Sequence, residues 1–306
     1  MTPSRKPLDA TAYLCIAMLC TLWGGQQILF KLSINDISPA MLIALRSSLG
    51  CVLLAIFMWY QGTSLALWRG PWRAGMSVGL LFGLEWWMIG ESLRLTTASH
   101  TVVFLYTAPI FTALGLHYWV PEERMSLRQW VGVFVSFLGI GISFVGGATQ
   151  SHFDINMLLG DLFAVGAGLG WAITTILIRT TGLAKLPATQ TTFYQLFFAT
   201  LALLFGCLLT DQWGVRWSTF LAVNIVGQGI FIAFLSLLMW FWLLKHYLAS
   251  RVSIFTFLTP LLGVSLGVLI LDEPLHAEFV WGALLVMIGV VMVNWPSKVA
   301  ALAEQV

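Results

Sequence analysis

Hydrophobic residues run along this chain in long blocks that proline, glycine and charged residues interrupt. Each block is about 20 residues long, the length that a helix needs to cross the hydrocarbon core of a bilayer. Barrel strands would be shorter and would alternate apolar and polar positions. The pattern therefore predicts an all-α integral membrane protein with ten transmembrane helices, near residues 12–32, 39–59, 74–93, 97–119, 129–147, 156–178, 188–209, 218–244, 249–271 and 277–295.

The composition agrees with a membrane protein. Hydrophobic residues make up 59% of the 306 residues and charged residues 9%, and the mean hydropathy is +0.89, whereas a soluble domain has about 25% charged residues. Ten helices take up about 200 residues, which leaves no room for a soluble catalytic domain. A net charge of +2 gives no reason to expect a nucleic-acid partner. We expect the lipid bilayer as the surroundings, no cofactor and no bound metal.

Lysine and arginine residues predict the orientation, because cytoplasmic loops carry an excess of them. With a cytoplasmic N-terminus, three basic residues fall on the outer side: Lys31, Arg94 and Arg216. Eleven fall on the inner side: Arg5, Lys6, Arg69, Arg73, Arg124, Arg128, Arg179, Lys185, Lys245, Arg251 and Lys298. Both termini are predicted to be cytoplasmic, in a multi-pass protein of the cell membrane, with the bacterial inner membrane as the expected location.

The second half of the sequence repeats features of the first half. Trp23, Lys31 and Pro39 recur 148 residues later as Trp171, Arg179 and Pro187. The pair Ala98-Ser99 and Pro109 recur 151 residues later as Ala249-Ser250 and Pro260. The stretch from Glu123 to Gly132, with Gly139, recurs 150 residues later as Glu273 to Gly282, with Gly289. We place the boundary between the repeats at 149/150, so that residues 1–149 carry helices 1–5 and residues 150–306 carry helices 6–10.

Five helices in each repeat give the two repeats opposite orientations in the membrane. Inverted repeats related by a pseudo-twofold axis are typical of secondary transporters, because exchanging the conformations of the two halves converts an inward-open state into an outward-open one.

The repeated Trp-x7-Lys/Arg-x7-Pro element, the repeated mid-helix proline and the repeated Gly-x6-Gly helix resemble the drug/metabolite transporter superfamily. The resemblance is to its ten-helix exporters with two EamA domains, and it covers nearly the whole chain. It implies an inner-membrane carrier that exports amino acids, related metabolites or toxic compounds, and it does not identify one substrate.

Two ionisable residues inside the predicted spans are candidates for substrate binding or coupling. Inserting a charged side chain at the bilayer centre costs about 2.5–3.5 kcal/mol on insertion scales. A structural or functional role is therefore expected for each of the two. Arg46 and Glu85 lie at similar depths, about 10 and 12 Å from the outer surface. One hypothesis is a structural ion pair between them, with Glu91 as a competing partner of Arg46. The other is that Glu85 faces the cavity and binds a proton or a cationic group.

Other residues inside the predicted spans are further candidates for the site. Trp86 adjoins Glu85, and Trp23 and Trp171 hold equivalent positions in helices 1 and 6; aromatic faces attract organic cations. Gln26 lies near the depth of Arg46, and Tyr194 is the repeat equivalent of Arg46. Asn224 and Gln228 lie one turn apart on helix 8, where they either bridge helices or bind polar groups of a substrate.

Three further residues have candidate roles in gating or titration. Pro109 and Pro260 each remove a backbone hydrogen bond from a helix and are candidate hinges. His100, near the outer end of helix 4, titrates in the physiological range when unperturbed and is a candidate coupling residue as well as a candidate packing residue. We expect Glu122-Glu123 and Asp272-Glu273 to cap the helices that follow them.

These features favour a secondary transporter that works by alternating access on a small-molecule substrate, with protons as a candidate coupling ion. The alternative is a passive channel or facilitator for small polar solutes, which would need a continuous polar pore. An enzyme is not expected, because no metal set, nucleophile–base pair or convergent carboxylates lie at one depth. Both a monomer and a dimer are compatible with the sequence.

Overall fold

The structure is a computed structural model that describes residues 8–63, 70–119, 125–148, 155–247 and 258–294. These residues fold into helices: α1 (Ala10–Ser33), α2 (Pro39–Tyr60), α3 (Trp72–Leu95), α4 (Ala98–Leu105), α5 (Ala108–Trp119), α6 (Leu127–Ala148), α7 (Ile155–Thr180), α8 (Ala188–Leu209), α9 (Thr219–Gly227), α10 (Leu237–His246), α11 (Leu258–Leu271) and α12 (Ala277–Asn294). A π-helical segment, Gln228–Ser236, joins α9 to α10. Ile37 and Val215 form an isolated antiparallel β-bridge.

The described part of the chain contains six helical stretches that are long and apolar enough to cross a membrane, together with shorter apolar helices. Each of the ten predicted spans overlaps at least one helix, although residues 249–257 of the ninth span lie outside the described residues. The proposed boundary at 149/150 also lies outside them. The number of crossings, the side of the termini and the repeat boundary stay predictions.

Short polar side chains begin several of the helices. Asp9 Oδ1 accepts a hydrogen bond from Ala12 N at 2.9 Å at the start of α1. Ser38 precedes Pro39 at the start of α2, and Ser218 Oγ accepts from Leu221 N at 3.1 Å at the start of α9. Such caps satisfy N–H groups that have no partner inside the helix. They explain why these helices begin where the hydropathy pattern places them.

The predicted fourth span is broken into two helices near Pro109. α4 ends at Leu105, and the chain turns through Tyr106 and Thr107 before α5 begins. Proline cannot donate to the carbonyl four residues earlier and its ring collides with that carbonyl, so the break falls upstream of the proline itself. Pro260 is the third residue of α11, and the chain that precedes α11 lies outside the described residues.

The helix packing follows the pseudo-twofold pattern that the repeats predict. α1 packs on α11, and the equivalent helix α7 packs on α4 and α5. α3 packs on α8, and the equivalent π segment packs on α2. The self-related pairs are α6 with α12 and α2 with α8. Every one of these contacts joins the first half of the chain to the second.

The closest of these interfaces, between α6 and α12, uses the repeated glycines. A Cβ atom on Gly132 would lie 2.8 Å from the carbonyl oxygen of Gly289, and one on Gly139 would lie 2.5 Å from that of Gly282. Small residues let helix backbones approach closely in a membrane. The Gly-x6-Gly motif therefore packs against its own repeat.

We expect Gly139→Ala to lower the free energy of unfolding by about 1–3 kcal/mol, because its methyl group would meet backbone atoms that cannot move aside. Gly141→Ala is the matched control, since a Cβ at Gly141 meets nothing within 4 Å. Thermal unfolding of the two purified variants measures the difference. Equal melting temperatures would contradict this account of the interface.

Candidate functional site

Four of the predicted site residues meet in one buried hydrogen-bond network. Arg46 Nη1, on α2, donates to Gln26 Oε1 of α1 at 2.8 Å and to Gln228 Oε1 of the π segment at 3.0 Å. Gln228 Nε2 donates to Asn224 Oδ1 at 2.9 Å, and Asn224 Nδ2 donates to Ser33 Oγ at 2.7 Å. The network joins residues of both halves of the chain, as a site between the repeats requires.

Aromatic rings cover the guanidinium of Arg46. Its Cζ atom lies 3.9 Å from the ring centroid of Trp86 and 5.0 Å from that of Phe30. Cation–π attraction of this kind is strongest where the cation is desolvated, and Arg46 is only 3% exposed. In this structure the cation at the face of Trp86 is therefore Arg46.

Glu85 lies beside this network without joining it. The side chain is 4% exposed and sits where α3 meets Gly170 of α7. No hydrogen bond or ion pair joins Glu85 to Arg46, and both residues are described. Glu85 Oε2 has no hydrogen-bond partner among the described residues. A buried polar atom without a partner is rare and needs an explanation.

Two more polar atoms near Arg46 are also without a partner in the described part of the chain. They are Nε of Arg46 itself and Nε1 of Trp86. Arg46 Nε and Trp86 Nε1 are donors, whereas an ionised Glu85 offers an acceptor. These three atoms are therefore able to form hydrogen bonds to a molecule that carries both an anionic and a cationic group.

Glu91, the competing partner predicted for Arg46, does not reach it. Glu91 Oε2 instead pairs with Arg94 Nη1 at 2.7 Å, three residues along the same helix. Residues three apart on a helix are neighbours, so Glu91 has a closer partner at the end of α3. That part of the sequence prediction is wrong.

The remaining predicted site residues lie outside the network. Trp23 Nε1 donates to Ser236 Oγ at 3.0 Å, and the Trp171 ring packs edge-on against Tyr106 at 5.6 Å. Tyr194 is fully buried, and Gly75 of α3 lies against its ring. Gly75 precedes Trp86 by eleven residues on α3, about 16 Å along the helix, so Tyr194 lies away from Arg46, which contacts Trp86.

His100 has a buried partner that sequence reasoning missed. Its Nδ1 atom lies 3.0 Å from both carboxyl oxygens of Asp161, on α7, and its ring stacks on Phe279 at 4.0 Å. Thr96 Oγ1 also donates to Asp161 Oδ1, at 2.8 Å. The sequence does mark Asp161 as a candidate partner, because it is an ionisable residue inside a predicted span.

Glu273 caps a different helix from the one predicted. Its carboxyl oxygens accept hydrogen bonds from Ala98 N at 2.6 Å and Ser99 N at 3.0 Å, at the start of α4. The prediction that it caps the following helix, α12, is therefore wrong. The tertiary fold brings α4 close to the end of α11, which the chain order does not reveal.

A cavity of about 460 Å³ borders the network between α1, the α9–π region and α11. Its walls are mostly apolar, with Leu29 and Phe231 among them, and the amide side chains of Gln26, Asn224 and Gln228 also line it. The polar atoms of these amides contribute little of its surface, and Arg46 and Glu85 are not among the residues that line it.

Comparisons with known proteins identify the class of this protein. The model of the EamA-like transporter family matches residues 10–145 and again residues 158–295. The chain therefore belongs to the EamA-like transporter family, and it is a transporter rather than an enzyme. Multiple helices that are long and apolar enough to cross a membrane agree with a multi-pass membrane protein.

Relatives of similar length support this assignment. The chain is 24% identical over 278 residues to the uncharacterized transporter YoaV of Bacillus subtilis (strain 168), covering 90% of this chain and 94% of that one. It is 25% identical over 300 residues to the uncharacterized transporter YvbV of the same organism, covering 96% and 94%. One solved crystal structure shares the fold with a TM-score of 0.64 and 20% identity, covering 94% of this chain and 98% of that one.

We expect Gln26→Leu to lower the free energy of unfolding by about 1–3 kcal/mol, because it removes an acceptor from a buried cation. Gln27→Leu is the matched control. Gln27 is equally buried, but its Oε1 atom has no partner among the described residues, so its loss leaves the hydrogen bonds of Arg46 intact. Thermal unfolding compares the two variants, and an equal loss of stability would argue against the network.

Proposed function

We propose that this chain is a secondary transporter that exports a small zwitterionic metabolite, such as an amino acid, by alternating access. The proposed protein crosses the inner membrane of a bacterium ten times, and both of its termini lie in the cytoplasm. The distribution of lysine and arginine supports the orientation, and the doubled family match supports two repeats. Export as the direction rests on the resemblance to ten-helix exporters.

The observation that carries this proposal is the buried Arg46, held between Gln26 of the first half and Gln228 of the second. If one half of the chain moves against the other, at least one of these two hydrogen bonds of Arg46 must change. Its unpartnered Nε atom suits a substrate carboxylate, because charge-assisted hydrogen bonds to arginine are among the strongest available.

Glu85, which precedes Trp86 on α3, supplies the opposite charge when it is ionised. Its unpartnered carboxyl oxygen suits the ammonium group of an amino acid or amine. The same oxygen suits a proton when the substrate has left, which would couple export to a proton gradient. Pairing both charges of the ligand with opposite charges reduces the cost of taking the ligand into the membrane interior.

Counterflow into proteoliposomes tests the proposal directly. Vesicles are loaded with a mixture of unlabelled amino acids and amines, and uptake of isotopically labelled ones is read by mass spectrometry with and without a pH gradient. Saturable exchange of one class supports a carrier, and dependence on the gradient supports proton coupling. Flux that never saturates would support the passive channel instead. If folded protein moves none of these amino acids and amines, neither a carrier nor a channel for them is supported.

We expect Glu85→Gln and Arg46→Met each to lower counterflow at least about tenfold, because each removes a charged partner of the ligand. Glu91→Gln is the matched control, since it makes the same chemical change six residues along the same helix, where Glu91 pairs with Arg94. Initial rates of counterflow are compared at equal amounts of reconstituted, monodisperse protein. Normal transport by Glu85→Gln would exclude the role proposed for Glu85.

A further inference from the structure

A second buried cluster of charged residues lies where the chain passes from α3 to α4, away from the Arg46 network. Both helices belong to the first half of the chain, but two carboxylates of the second half reach this connection. They are Asp161 of α7 and Glu273, which follows α11. We name the cluster the α3–α4 clamp; its members are Lys31, Thr96, Ala98, Ser99, His100, Asp161 and Glu273.

Glu273 holds the start of α4. In addition to the two backbone N–H groups of Ala98 and Ser99, it accepts a hydrogen bond from Ser99 Oγ at 2.6 Å. A carboxylate at this end of a helix also gains from the helix dipole. Glu273 is only 8% exposed, so these hydrogen bonds are formed out of water.

Asp161 contacts residues on either side of that point: Thr96, which precedes α4, and His100, which lies within α4. Lys31 of α1 completes the clamp from the first half. Its Nζ atom donates to the carbonyl oxygens of Leu93 at 2.6 Å and Thr96 at 2.5 Å, and the charge of Glu273 attracts it. The ionisable groups at this point are thus two carboxyl groups, one amine and one imidazole.

The clamp is closed in this structure, because backbone of the second half lies directly against the connection. A Cβ on Gly160 of α7 would lie 2.8 Å from Thr96 Cβ, and a Cβ on Gly267 of α11 would lie 2.7 Å from Ser99 Oγ. The two halves cannot separate at this end unless the hydrogen bonds of Asp161 and Glu273 break and water replaces them.

Three parts of the clamp are also positions that the sequence duplicates. Lys31, the Ala98-Ser99 pair and Glu273 recur as Arg179, Ala249-Ser250 and Glu123. Inverted repeats assign equivalent residues to opposite ends of a transporter, and alternating access needs one closure at each end.

We propose that the α3–α4 clamp is the gate at this end of the transporter: it is closed here, and each transport cycle opens it by breaking the hydrogen bonds that Glu273 and Asp161 make to the α3–α4 connection. The proposal rests on the transport function proposed above. Glu273 and Asp161 act in it as positioning residues, because they hold the gate and do not touch the substrate.

Cysteine labelling tests whether the clamp controls access. Val102 is fully buried one turn into α4, and Val102→Cys is made in a background from which Cys15, Cys20, Cys51 and Cys207 have been replaced. We expect Glu273→Gln and Asp161→Asn to raise its rate of labelling by a membrane-impermeant maleimide about tenfold, by shifting the population towards the open state. Glu278→Gln, an exposed position on α12, is the control and should leave the rate unchanged.

Equal labelling rates in all of these variants would overturn the proposal. Melting temperature and gel filtration check that each variant is folded. A second experiment keeps Glu273 in place, so that it decides the question if the Glu273→Gln protein does not fold.

The second experiment locks the clamp with a disulfide between Ser99→Cys and Gly267→Cys, because a Cβ at Gly267 would lie 2.7 Å from Ser99 Oγ. The same Cβ would lie 2.6 Å from Glu273 Oε2, so the reduced double variant, and not the wild-type protein, is the reference for the crosslinked one. We expect counterflow by the oxidised protein to fall at least about tenfold and to return on reduction, because the gate then cannot open. Counterflow that is unaffected by the crosslink would overturn the gate and leave the transport function intact. If wild-type protein exchanges no amino acid or amine, the proposed function fails instead, and the labelling rates alone decide whether the clamp is a gate.

Discussion

The burial of one charge, that of Arg46, constrains more of this structure than any other single interaction. An arginine in the middle of a membrane costs about 2.5–3.5 kcal/mol on insertion scales unless protein groups replace its hydration. Here two glutamine oxygens and the face of Trp86 replace it. These groups come from α1, the π segment and α3, so the guanidinium can be satisfied only when helices of both halves meet around α2. The polar network and the arrangement of the two halves therefore depend on each other.

The interface of α6 and α12, which is lined by glycines, also joins the two halves of the chain. Gly132 and Gly139 pack on Gly289 and Gly282, so a single duplicated motif forms both sides of one interface. The site itself is asymmetric. Arg46 and Tyr194 hold equivalent positions in the sequence, but Arg46 lies against Trp86 and binds two glutamines, whereas Tyr194 packs against Gly75 near the start of α3.

The sequence singled out the residues of the network but not all of their contacts. Helix length put Gln26 near the depth of Arg46, whereas Asn224 and Gln228 were candidates because they are amides one turn apart on a predicted helix. Hydropathy and helix length do not say which helices are adjacent or which way a side chain turns. For this reason the bond from Arg46 to Gln228 rather than to Glu85, the pairing of His100 with Asp161 and the attachment of Glu273 to α4 appear only in three dimensions. The upstream break at Pro109 follows from proline chemistry, but its position does not follow from hydropathy.

A double-mutant cycle between the protein and its substrate tests the central claim, that Arg46 binds a substrate carboxylate. Competition for counterflow is measured for the transported amino acid and for its amide, in wild-type protein and in Arg46→Met. We expect the loss of the carboxylate to weaken competition at least about tenfold in wild-type protein, and to weaken it little further in the variant, because the two changes remove the same contact. If the amide loses the same factor in both proteins, the carboxylate binds elsewhere and the account of Arg46 is wrong.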